Sequence, residues 1–149
     1  MYRKILVALE NSPADLALLP HITELATQFH ARLFLLHVAD GWAARNYDQL
    51  KLAESEEMKA DRDYLDGIAL ELKHKKIEVS TLLAKGNPPD EILKAAIREE
   101  CDLIAMSTHG HKFIGDVIHG SVSHTVRHSS TIPVLLVRGS SKGRSGPHK

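Results

Sequence analysis

The sequence predicts an α/β fold, a mainly parallel sheet with helices on both faces. Two observations predict it. Short apolar runs alternate with stretches of helical periodicity four times along the chain. The first run, Ile5 to Leu9, is apolar at every position, as in a strand covered on both faces of a parallel sheet.

The elements follow in order. After Leu9, Asn11-Ser12-Pro13 gives a helix start, with Ser12 as cap, Pro13 at the first helical position and Asp15 in the first turn. Leu18, Ile22, Leu25 and Phe29 continue at helical spacing, and Pro20 predicts an early kink. Leu33 to Val38 is the second strand. A looser stretch around Trp42 leads to a charged helix whose buried stripe includes Met58, Leu65, Ile68 and Leu72. Ile77 to Leu83 is the third strand. Asn87 then caps the third helix, with Pro88 in its first turn. Leu103 to Met106 is the fourth strand, Ser121 to His128 a short last helix, and Pro133 to Val137 the closing strand. The final stretch, 139–149, is Gly/Ser-rich, basic and apolar-free, which predicts a disordered tail after a single domain spanning 1–138.

Composition narrows the function. The 149 residues suit one domain, and Lys plus Arg balance Asp plus Glu at 19 each. A neutral chain has no general electrostatic reason to seek nucleic acid or anionic lipid. The single cysteine, Cys101, excludes an internal disulfide, and its neighbours Ile97 and Leu103 predict a buried, inert thiol. The apolar run near the N-terminus is too short for a secretory core, and no stretch reaches membrane-spanning length. The expected setting is cytoplasmic.

In sheets of this kind, ligands bind beyond the carboxyl ends of strands, where the strand order reverses. That directs attention to Glu10, Val38 to Asp40, Gly86-Asn87 and the loop "STHGHKFIGDVIHGS" at 107–121. A glycine-rich turn entering a helix presents free backbone N–H groups and the positive end of a helix dipole. Gly110 and Gly120 allow close approach of an anion, and Ser121 and Ser123 add hydroxyl donors. A lone glycine here reads as a tight turn; several glycines and hydroxyls together read as a phosphate cradle. Known phosphate motifs do not fit. Gly110 and Gly115 have P-loop spacing, but Asp116 stands where lysine belongs, and "ALENSPAD" after the first strand has no glycine at all.

The loop resembles the signature of the universal stress protein family, whose nucleotide-binding members carry G-x2-G-x9-G-[ST] at this place. Gly110, Gly120 and Ser121 match it, and Ser107 stands for the first glycine. "KILVALENS", "LFLLHVAD", "GNPPDEIL", "CDLIAMSTHG" and "HSSTIPVLLVR" are similar to the family's other landmarks, in the same order. The resemblance implies a five-stranded sheet in the order 3-2-1-4-5 and an adenine nucleotide in the crevice between strands one and four. It implies Ala8, Leu9 and Glu10 near base and ribose, Val38 against the base, and Met106, Ser107 and Gly110 along ribose and phosphates. Gly120, Ser121, Val122 and Ser123 would then cradle the phosphates. Glu10 replaces the family's usual aspartate and sets its carboxylate one methylene further out. The implied ligand is ATP, or AMP or ADP, with Mg2+ or Mn2+ on the phosphates.

Histidines are frequent, and His124 and His128 share an i, i+4 spacing, yet no further ligand is fixed by spacing, so solvated or helix-end roles are expected. Trp42 and Tyr47 fall in the loop after strand two, where they cover a ligand, meet a partner or pack in the core. No serine–histidine–acid order, paired carboxylates or base beside a nucleophile emerges, so no enzyme is expected, with slow ATP hydrolysis or autophosphorylation left open. The expectation is a cytoplasmic, ATP-binding stress sensor or regulator, homodimeric through Pro133 to Val137. Its rival is a nucleotide-free interaction module of the same fold.

Overall fold

The computed structural model describes residues 1–39, 56–109 and 116–139. Its elements are β1 (Lys4–Ala8), α1 (Asp15–Phe29), β2 (Arg32–Ala39), α2 (Glu56–His74), β3 (Val79–Lys85), α3 (Pro88–Arg98), β4 (Leu103–His109), α4 (Asp116–Ser129) and β5 (Val134–Gly139). The strands form one parallel sheet in the order β3-β2-β1-β4-β5, as the resemblance implied. At its centre Leu6 lies between Phe34 of β2 and Ile104 of β4.

Alternation along the strands divides the core in two. Ile5, Val7, Leu9, Leu33, Leu35, Leu103 and Ala105 pack under α1 (Leu18, Ile22, Ala26) and α2 (Leu65, Ala69, Leu72). Leu6, Ala8, Phe34, Leu36, Ile104 and Met106 pack under α3 (Ile92, Ala95, Ala96) and α4 (Val126). Both faces are therefore covered, which explains why Ile5, Leu6 and Val7 have no exposed surface at all.

Several local expectations hold. Asn87 caps α3, accepting from the Asp90 amide at 3.2 Å, with Pro88 at its start. Cys101 is buried, and desolvation pushes its thiol up to about 11 despite the opposing pull of Lys4. Its predicted neighbour Ile97, however, is exposed.

Others are corrected. Ser12 does not cap α1. The helix begins at Asp15 behind Ala14, which makes no side-chain cap, while Ser12 Oγ accepts from the Ala14 amide inside the turn. The helix runs on through Pro20 to Phe29; Pro20 is its sixth residue, so it forgoes the one bond its N–H would have given the Leu16 carbonyl without ending the helix. The third strand begins at Val79, and Ile77 is the buried lead-in, its amide bonded to the Leu72 carbonyl. Pro133 precedes β5 and offers its carbonyl to the Ile104 amide. Gly139, counted in the tail from composition, closes β5 and is buried. A Cβ built there would lie 3.1 Å from Ala14 Cβ and 3.3 Å from the Thr108 carbonyl, so glycine is what lets this strand end approach α1. The remaining tail, together with Trp42, Tyr47 and Gly110, lies outside the described residues.

Candidate functional site

The strand order reverses between β1 and β4, and the register there is fixed by Val7 opposite Ala105. One and two residues further on, Ala8 and Leu9 stand level with Met106 and Ser107 at the carboxyl ends of their strands. The Leu9 amide donates to the Leu36 carbonyl at 2.8 Å, holding this end of β1 to β2. Ala8 and Met106 are buried in one apolar cluster, with Val38 and Val122 packed against it. Four residues expected around a nucleotide, drawn from β1, β2, β4 and α4, thus meet on the α3/α4 side. Leu9 belongs to the other face, and Ser123 is buried in α4.

Ser107 carries a distinct signal. It is only 4 % exposed, and among the described residues its hydroxyl has no hydrogen-bond partner. A buried hydroxyl left unpaired costs about 1–3 kcal/mol. Strand alternation sets it with Leu103 and Ala105 on the α1/α2 face, at the mouth of the crevice.

The other wall of the crevice is the turn after β1, and a polar network holds it. Asp15 has no exposed surface. Its carboxylate accepts from the amides of Glu10 (3.0 Å) and Asn11 (2.8 Å) and from the Tyr64 hydroxyl (2.7 Å). Burial first, and then the bond to Asp15, raise the Tyr64 phenol far above its ordinary 10.0. Asn11, at a positive φ of 61°, donates from Nδ2 to Asp61 Oδ1 at 2.9 Å. The other Asp61 oxygen lies 3.2 Å from His37 Nε2, and His37 Nδ1 lies 2.8 Å from the Leu9 carbonyl. Glu10, the expected base and ribose contact, sits at the rim, half-buried, with Oε1 accepting from Ser12 Oγ. The sequence reading missed His37, Asp61 and Tyr64 and saw Asp15 only as a first-turn acid.

The last helix departs from expectation. It starts at Asp116 rather than Ser121, so Gly120 and Ser121 lie one turn inside α4 and not at its first free amides.

Elsewhere, the rings of His124 and His128 stack edge to face at 4.4 Å, and Arg127 lies 3.2 Å from His124 Nδ1. Among the described residues no group of three or more His, Cys, Asp or Glu is placed to hold a metal ion. An open concavity of about 960 Å³ lies at the opposite end of the sheet, around Arg3, Lys4 and Arg32. Its charges are largely spent: Lys4 pairs with Glu99, Arg32 with Glu78, and Asp102 accepts from the amides of Arg3 and Lys4. Among the described residues no helix is long and apolar enough to cross a membrane.

Fold and crevice together define a doubly wound α/β protein with its topological switch point between β1 and β4. The family model described as the universal stress protein family matches residues 1–138, and the chain belongs to that family. Universal stress protein MJ0577 of Methanocaldococcus jannaschii is 28% identical over 158 residues, covering 93% of this chain and 96% of its own. Its solved structure superposes with a TM-score of 0.76, covering 95% of this chain and 99% of that one. A universal stress protein of Archaeoglobus fulgidus, solved in complex with dAMP, has a TM-score of 0.67 at 19% identity, covering 91% of this chain and 98% of that one. A further universal stress protein, solved in complex with cAMP, also has a TM-score of 0.67, at 18% identity, with coverages of 91% and 96%.

Proposed function

We propose that this chain binds an adenine nucleotide, ATP above all, in the β1/β4 crevice and acts as a cytoplasmic, dimeric stress sensor or regulator rather than as an enzyme. The observation that carries the reading is the Ser107 hydroxyl, buried and without a partner among the described residues, where the ligand would lie. A desolvated hydroxyl persists when something outside the chain satisfies it. The apolar group of Ala8, Val38, Met106 and Val122 suits a purine face, and the dAMP and cAMP complexes of fold relatives support the ligand class. The Mg2+ or Mn2+ ion would ride on the ligand's phosphates.

One observation favours the rival, a nucleotide-free interaction module. Gly120 and Ser121 lie within α4, so their amides are committed to the helix. Nucleotide binding by those amides requires the first turn of α4 to open. Equilibrium binding of a fluorescent ATP analogue, displaced in turn by ATP, ADP and AMP, separates the two readings. Displaceable saturation supports the nucleotide site, and no binding at any concentration supports the module. Phosphate release measured over hours tests for hydrolysis.

A further inference from the structure

The Leu9 carbonyl can only accept a hydrogen bond, so the His37 Nδ1 that lies 2.8 Å from it carries a hydrogen. Nε2 faces an Asp61 oxygen at 3.2 Å, and a bond there needs a second proton between ring and carboxylate. Without it, a lone pair faces an anion in a site where the side chains are only 13% and 11% exposed. The other Asp61 oxygen holds Asn11, whose amide, with that of Glu10, is held by Asp15. The pair therefore sits behind the crevice wall and holds Leu9 and Asn11 at the start of the β1–α1 turn.

We propose that a proton shared by His37 and Asp61 fixes the Leu9–Asn11 wall, making the two residues positioning residues whose protonation tunes ligand affinity. The groups around His37 fit this role. Asp61 and Tyr64 come from α2, Asp15 from α1 and Glu10 from the end of β1. On β3 the register partner is apolar Leu83, with Lys85 two residues further along the same face. With the proton present, the imidazolium–carboxylate pair is complete. When that proton leaves at higher pH, His37 keeps the Nδ1–H tautomer that the Leu9 carbonyl requires, and the bond to Asp61 is lost. The wall then loosens and affinity falls.

The affinity part rests on the nucleotide reading; the latch itself does not. Asp61→Asn separates them, because its amide can donate to the Nε2 of a neutral His37 while its oxygen still accepts from Asn11. The experiment follows amide-exchange protection of Glu10 and Asn11, corrected for intrinsic rates, from about pH 5 to about pH 8. The parent should lose protection by about fivefold or more, and Asp61→Asn should stay flat. ATP-analogue affinity, measured over the same range, should repeat the contrast; phosphate ionisation affects both proteins alike and cancels. Matching profiles in the two proteins overturn the proposal. So does a neutral His37 whose ring nitrogen shifts report Nε2–H, a measurement on the parent that stands even where Asp61→Asn fails to fold. Exchange that depends on pH while affinity does not overturns the link to the ligand. Absence of nucleotide binding at every pH overturns the proposed function, and the exchange data still decide the latch.

Discussion

The Tyr64 hydroxyl donates to the Asp15 carboxylate at 2.7 Å and, with the Glu10 and Asn11 amides, surrounds a carboxylate that has no exposed surface. This bond joins α2 to the turn that forms one wall of the crevice, so the two elements are held as a unit.

Tyr64→Phe removes one donor and leaves the buried charge under-satisfied. The expected loss is about 1.5–3 kcal/mol, the range for hydrogen bonds to charged groups, read as a lower urea midpoint with an unchanged slope. The pH dependence has a definite sign. The folded phenol titrates above its ordinary 10.0, so its contribution is complete below that pH and fades as pH rises above it. Parent stability should fall there faster than that of Tyr64→Phe.

The network also shows where the sequence was hard to read. Asp15 occupies the same buried stripe as Leu18, Ile22 and Ala26, and Asp61 the same stripe as Met58, Leu65, Ala69 and Leu72. His37 alternates with Leu33 and Leu35. A carboxylate or imidazole on a buried stripe needs a partner, and that was the available signal. The partners could not be named, because Asp15, His37 and Asp61 meet only through the order in which the strands pair. The strands themselves were legible because burial on both faces leaves continuous apolar runs, and Asn87 because its cap is local. The start of α4 was not, because Gly120 reads as a turn yet is tolerated inside a helix.

That glycine yields a prediction with two opposite signs. Gly120→Ala should stabilise α4 by up to about 1 kcal/mol, the helix-propensity difference, seen as a higher melting temperature. It should weaken ATP-analogue binding, because a firmer first turn opens less readily and a methyl group enters the phosphate space. A stabilised variant with unchanged affinity places the phosphates elsewhere.

Gly139→Val drives a side chain against Ala14 and the Thr108 carbonyl, neighbours whose backbone atoms cannot give way easily. The expected cost is about 1–3 kcal/mol in thermal or urea unfolding. A neutral result would mean that the end of β5 moves freely from α1.

β5 is an edge strand, and Val134, Leu135, Leu136 and Val137 remain half-exposed in the single chain. Pairing of two copies along this edge would remove a hazard that proteins rarely leave open. Light scattering at micromolar concentration should return twice the chain mass; a monomer mass contradicts dimerisation.

The crevice itself is tested most directly by titrating ATP with Mg2+ into the parent and into Ser107→Ala in a calorimeter. The parent should bind saturably and Ser107→Ala about three- to tenfold more weakly, the effect of one neutral hydrogen bond. The variant's melting temperature should be equal or higher, since its unpaired hydroxyl is gone. Equal affinity in the two proteins, or no binding heat with the parent, would contradict the account.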